Sequence, residues 1–405
     1  MIKAHSLLYA VYICLLVAVL CAGLLYFAGL YTQLNLMYTS REELYIQNQS
    51  YTELALANQE EDSGEYNDAV TGIGAAYKNG TYGLLQLLEV TTFAKSDTVT
   101  AVYLTGDYPE TKTCLFLTNQ GDPFYYSGNV KLIGEKKIAT LRLEEKYIAN
   151  APNLLVSQGN ITLSETYFPE IFPEIKGLFE GKDPIPFTTQ KLEQGKDTVY
   201  FNSFVKEPVH IQLTGTVLEQ VAIKGNYILH ARDSVYIKNT ALLEDVIIRA
   251  PKIKVEENFK GSVQLLATQK ITIQQDAQLT YPSVLCLYNK ASGKSLIEIQ
   301  EKAKIYGVVV LVNDSVHQQE EDAVVVKKEA MLLGELYCMG KLMVEGKIYG
   351  AAYANSVFHK TSVSNYDNCM VDSEIDITRR PEFFVSVPVL KTTGKKKKGV
   401  CKKVL

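Results

Sequence analysis

Val235-Tyr-Ile-Lys-Asn-Thr-Ala241, Ile253-Lys-Val-Glu-Glu-Asn-Phe259 and Ile271-Thr-Ile-Gln-Gln-Asp-Ala277 are three phrases of one form, each starting 18 residues after the last. A β-branched residue is followed four positions on by a small or aromatic residue, and two positions later by an aliphatic one or Gly. The triplet occurs at Ile223, Tyr227, Leu229; Ile237, Ala241, Leu243; Val255, Phe259, Gly261; and Ile273, Ala277, Leu279. It returns at Ile299, Ala303, Ile305 and Val326, Ala330, Leu332, and ends truncated at Val344, Ile348, Gly350. The steps into Ile299 and Val326 are longer because polar segments, Asn289–Ser295 and Asn313–Glu321, are inserted. A fixed period that tolerates insertions at corners is the mark of stacked repeats. The reading is a mostly β chain whose stretch from about Val221 to Phe358 is a parallel β-solenoid, or β-helix, of ~18-residue rungs.

Apolar residues alternate within each rung, which puts Tyr236, Lys254, Thr272, Glu298, Val325 and Met343 on the outer face. The last two make that face apolar late in the array. Asn239, Asn258 and Asp276 follow the strands where a corner must bend. No rung buries its inner face alone, so stability is expected to be a nearest-neighbour property.

Ser6 to Tyr31 carries no charge and is long enough to cross a bilayer. Lys3 precedes it, and Arg41, Glu42 and Glu43 follow, an arrangement that places the N-terminus in the cytoplasm and the body outside. A cleaved signal peptide is the rival, although no Ala-x-Ala site follows; Leu20 fits poorly before a lipidated Cys21. The expected divisions are 1–31 anchor, 32–65 helical stalk or linker, 66–194 β-rich entry region, 195–360 solenoid, 361–390 C-terminal cap or adaptor, and 391–405 basic tail. Leu34, Met37, Leu44, Gln47, Tyr51, Leu54 and Ala55 set the stalk's helical spacing. Within the entry region, Gly128–Gly134 and Ile138–Leu143 read as first, irregular rungs. Phe168–Glu180, bracketed by Pro169, Pro173 and Pro184, reads as a short helix or loop laid against the body, covering its open end.

A net charge of −4 gives no global basic field for nucleic acid. The Lys-rich tail, Lys391 to Lys403, is either solvated or an anchor to an anionic surface. The seven Cys, two of them in the apolar segment, show no Cys-x-x-Cys; buried thiols are the reading, with a Cys338–Cys369 bridge as the alternative. His5, His210, His230, His317 and His359 have no metal-ligand spacing, and no phosphate loop or nucleophile elbow occurs. No catalytic, cofactor or metal residue is assigned. The carboxylates Glu256, Glu257, Asp276 and Glu298, which a carbohydrate-cleaving enzyme would need in pairs, sit among lysines and read as a solvated face. Asn48, Asn79, Asn160 and Asn313 open sequons for N-glycosylation where a host compartment performs it.

Lys3-Ala-His-Ser-Leu-Leu-Tyr-Ala10 leading into an apolar helix, a stalk and a β-rich body resembles a minor pilin or pseudopilin, especially the pseudopilin-like envelope proteins of Bacteroidota. Gly346-Lys-Ile-Tyr-Gly-Ala-Ala-Tyr-Ala-Asn355 and Tyr366–Pro388 add to that likeness. The chain departs from the pattern in lacking a Gly-Phe processing site and a Glu five residues into the helix. Val326–Gly350 resembles the polymer-forming bactofilins. These resemblances imply a non-enzymatic structural or assembly component of the bacterial envelope, anchored in the inner membrane with its body in the periplasm or outside. Self-association or other pseudopilin-like subunits would be its partners. A bactofilin-like polymerising scaffold and a carbohydrate-active β-helix enzyme are the alternatives.

Overall fold

The structure is a computed structural model, and it describes residues 4–58, 62–68, 72–94, 97–148, 152–180, 192, 198–290, 293–314, 321–391, 394 and 396–404. Lys3, Pro184, His317 and Lys395 therefore lie outside the described residues. The chain is mostly strands, preceded by one long helix, Ala4–Ala57. It divides into two compact units, residues 1–78 with 89–101 and residues 79–88 with 102–405.

In the first unit the helix has two characters. Leu7, Leu16, Leu25 and their apolar neighbours up to Tyr31 are bare, and the helix is long and apolar enough to span a membrane. Farther along, Leu44, Asn48, Thr52 and Ala55 are buried at helical spacing. Leu44 packs with Ile73 and Val99. The Asn48 amide donates to the carbonyls of Val90 (3.0 Å) and Val99 (3.3 Å), which satisfies backbone acceptors that burial would otherwise strand. Tyr51, Tyr66 and Tyr77 stack in a row. Of the expected stalk stripe, Leu44, Tyr51 and Ala55 thus face protein, whereas Leu34 and Met37 are exposed.

In the second unit the repeat becomes pairing geometry. Leu218, Ile237, Val255, Ile273, Ile299, Val326 and Val344 pair successively, parallel and in register. Val235, Ile253, Ile271, Ile297, Val324, Leu342 and Val357 make a second column. A third runs from Ile211 through Leu229, Ile248, Leu265, Leu285, Val309 and Leu336 to Ala352. All of these residues are buried in one apolar cluster. At about 1.5–3 kcal/mol per buried aliphatic side chain, each strand gains most when both neighbours are in place.

Two corners of the repeat have a fixed conformation. Asn258, Asp276, Lys302 and Glu329 occupy the same place in successive repeats and all have positive φ, between 55° and 61°. Asn and Asp tolerate that region; Lys302 and Glu329 are held there by the stack. At another corner Ser283, Gly307, Gly334 and Gly350 pair in register. A Cβ on Gly334 would lie 1.9 Å from the Gly307 carbonyl oxygen, so only glycine fits between the strands.

Three expectations about the ends need correction. Gly128–Gly134 and Ile138 do join the array, but not as its first members. Strand Lys347–Lys360 pairs with Thr113–Leu117 and Glu374–Asp376. These pair with Glu135–Ile138 and Asn129–Ile133, and Leu154–Gln158 and Ile161–Leu163 come last. Residues 113–148 and 152–163 therefore complete the end beyond Lys360, while Thr198–Leu218 forms the opposite end. Periodicity reports that a segment stacks, not where, because register is decided by which exposed edge it meets. The helix Pro173–Glu180 lies on a flank, where Ile175 is buried and Phe179 meets Tyr288 edge-on, rather than over an end. The basic tail is a strand, Lys398–Val404, antiparallel to Val102–Asp107.

Candidate functional site

Alternation in Ser234–Ile237, Lys252–Val255 and Lys270–Ile273 turns every second side chain outward, and parallel register then lines those side chains up. Ser234, Lys252 and Lys270 form one outward row; Tyr236, Lys254, Thr272 and Glu298 form the next. Neighbours in a row are separated by about 4.8 Å, the strand spacing. Lys238, Glu256 and Gln274 follow at the corner. The result is a groove of about 770 Å³ along the strand-stacking direction.

Its polar groups are tightly organised at the corner. Lys238 Nζ donates to Glu256 Oε1 (2.8 Å), the Asn239 backbone N–H donates to Glu256 Oε2 (2.9 Å), and the Tyr236 hydroxyl donates to Glu256 Oε1 (3.0 Å). Lys238, and then the Asn239 N–H, hold the Glu256 carboxyl below its ordinary range. Lys238 and Lys254 place their ammonium groups 4.4 and 4.9 Å from the centre of the Tyr236 ring. Glu298 faces Lys270 at 3.3 Å. Of the four carboxylates singled out from the sequence, Glu256 and Glu298 are thus engaged by lysines, Glu257 lines the groove, and Asp276 is the residue at the bend. The structure does not bring them together as a pair around a common space.

A second cavity, of about 190 Å³, lies on the opposite kind of surface. There the outward residues Val284, Val308, Cys286 and Val310 are buried under Phe384, Val387 and Val389. Two polar residues interrupt this apolar flank, and each pins a covering segment. Gln264 accepts from the Leu84 N–H (2.9 Å) and donates to the Tyr82 carbonyl (2.7 Å). Glu335, 1% exposed, accepts from the Tyr337 hydroxyl (2.7 Å), the Ser386 hydroxyl and the Arg380 guanidinium (3.2 Å). Burial, and then the Glu335 charge, push the Tyr337 hydroxyl well above the usual tyrosine value. Every polar group around Glu335 answers another group of the same chain, so this is a clamp.

His210 and His230 are buried and stacked, with Nδ1 and Nε2 3.1 Å apart. His359 faces Glu345 at 3.8 Å, and burial pushes its imidazole below the ordinary value. Cys338 and Cys369 are free buried thiols, not a bridge. Asn48 and Asn313, 3% and 1% exposed, are closed to modification in the folded chain. Asn313 instead joins Asn289 and Ser295 around the buried Asp322 carboxylate at the mouths of the two insertions. Among the described residues, no group of three or more His, Cys, Asp or Glu is placed to hold a metal ion.

The described lysines of the C-terminal run also have partners. Lys398 and Lys396 face Asp107, Lys402 bonds Glu244 and Asp245, and Lys391 bonds Glu170. Sequence reasoning missed both this pairing and the Glu335 clamp. It named Lys254 and Thr272 as outward, but gave no reason to join them with Lys252 and Lys270 in one surface. No family model matches the chain, and no curated protein and no solved structure matches it either.

Proposed function

We propose that this chain is a non-enzymatic structural or assembly component of the bacterial cell envelope, pseudopilin-like in plan. One helix anchors it in the inner membrane with its N-terminus in the cytoplasm. The body, outside, is a parallel β-solenoid of ~18-residue rungs. The observation that carries the reading is the joint occurrence of a bare apolar helix and an in-register parallel array. A body of that kind is a stiff display surface, and the helix would pack with other pseudopilin-like subunits. Alkaline carbonate extraction with protease treatment of spheroplasts tests it. The full-length chain should stay with the membrane, and only external protease should remove the body. Release into the soluble fraction, or a mature N-terminus near residues 22–32, would overturn the anchor.

A second reading, end-to-end assembly as in a bactofilin-like scaffold, is favoured by the end strands. Val199 and Phe201 are more than 60% exposed at one end, and Leu154 and Leu163 are 57% and 59% exposed at the other. Bare apolar edges of parallel strands invite head-to-tail addition of another copy. Sedimentation of the detergent-solubilised chain should then show a concentration-dependent ladder that Phe201→Lys abolishes; one species at all concentrations would exclude it.

A further inference from the structure

The groove beside Tyr236 has no cover among the described residues, and its chemistry is specific enough to name a ligand class. Lys252 and Lys254 are exposed, and the Lys270 side chain is 45% exposed despite its contact with Glu298. Lys252 lies directly beside Lys270 in register. Like charges paired across neighbouring strands are unfavourable, and an anion lying between them would relieve that repulsion. Around the lysines the lining includes hydroxyls and side-chain amides, among them Ser234, Thr272, Gln274 and Gln300, together with one carboxylate, Glu257, and the apolar Val217, Val235 and Ile253. The hydroxyls and amides both donate and accept, which matches a ligand rich in hydroxyls. The rows run across successive strands, so lysines and amides repeat every ~4.8 Å, a pitch close to the length of one sugar unit.

We propose that this groove binds an acidic polysaccharide, with Lys252, Lys254 and Lys270 facing its carboxylates and Thr272 and Gln274 its hydroxyls. Two other anionic partners fit less well. Single-stranded nucleic acid needs an open aromatic face for base stacking, whereas the Tyr236 ring is already engaged by Lys238 and Lys254. An anionic bilayer is gripped by basic residues next to bare apolar ones, whereas the apolar Val235 and Ile253 of the groove are buried. The basic tail is a poorer candidate, since Lys391, Lys396, Lys398 and Lys402 are taken up by Glu170, Asp107, Glu244 and Asp245.

The test is affinity electrophoresis and calorimetry of the detergent-solubilised full-length chain with polygalacturonate, and with neutral dextran, single-stranded DNA and phosphatidylglycerol vesicles as comparisons. Polygalacturonate should retard the protein, dextran should not, and added salt should weaken the binding. Lys252→Gln, Lys254→Gln and Lys270→Gln combined should weaken it at least ten-fold with an unchanged melting temperature. Lys260→Gln with Lys304→Gln, exposed on the other side of the corner, should leave it within two-fold. Absence of polygalacturonate binding, equal losses in the two variants, or tighter groove-dependent binding of DNA or vesicles would each overturn the proposal. None of these outcomes depends on which way the chain crosses a membrane, so the placement proposed above can fail separately.

Discussion

The two flanks of the parallel array have the same backbone and the same apolar interior, yet one is clothed and the other bare. Outward positions on the first read Val284, Cys286, Val308 and Val310; on the second they read Tyr236, Lys254, Thr272 and Glu298. The comparison teaches that inward residues make the stack, while outward residues decide what the stack is covered with. An apolar outer row would expose a wide patch to water, and the helix Pro173–Glu180 and the segment around Phe384–Val389 remove it. A row of lysine, threonine and glutamine is content in water and stays open.

The sharpest break should come at the corner leading into the clothed flank. Gly334→Ala forces a Cβ against the Gly307 carbonyl, at a φ of 145° that L-residues rarely adopt. A loss of about 4 kcal/mol, or failure to fold, is expected in urea denaturation. Next comes the clamp. Glu335→Ala leaves the half-buried Arg380 guanidinium with only the Pro109 carbonyl, and removing one partner of such a pair costs about 3 kcal/mol; limited proteolysis should now cut near Arg379–Arg380. Val310→Ala, on the clothed flank, should lose about 2 kcal/mol, while Thr272→Ala on the open flank stays within about 0.5 kcal/mol. Equal effects at Val310 and Thr272 would dissolve the distinction between the flanks.

The smallest effect concerns pH. His359 is held mainly neutral in the folded chain because burial lowers its pKa, with Glu345, Asp372 and Lys327 as the charges around it. Between that lowered value and the ordinary histidine value near 6.5, the unfolded chain binds the extra proton. Stability should therefore be unaffected by His359 above pH 6.5 and fall as pH drops below it. The melting temperature of His359→Asn should show a shallower decline between pH 6.5 and 5. Glu256 and Asp376, whose carboxyls are held below their usual range, act lower down. Their contribution is present above about pH 4 and disappears as pH falls through the folded values.

Much of the interior was legible in advance. Ile237, Val255 and Ile273 were expected to lie over one another, and they pair residue on residue. Asn258 and Asp276 were expected at bends, and both have positive φ. Lys302 and Glu329, which bend the chain in the same way, carried no turn signature, because their conformation is imposed by neighbours above and below. The basic run looked like a solvated tail, since charge pattern alone does not reveal that Asp107, Glu244 and Asp245 wait opposite. The groove was half visible: outward residues were identified, but the partnership of Lys252 with Lys270 depends on register.

By itself the sequence determined a long apolar helix, an 18-residue repeat and the side of each strand that faces inward, because all three are local periodicities imposed by backbone geometry. Only the tertiary structure decided that the strands of residues 113–138 and 154–163 close the far end, that Gln264 and Glu335 pin the covering segments, and which flank stays open. Those outcomes join residues tens to hundreds of positions apart, and such encounters are set by which edges and faces remain unsatisfied once the local pieces have formed.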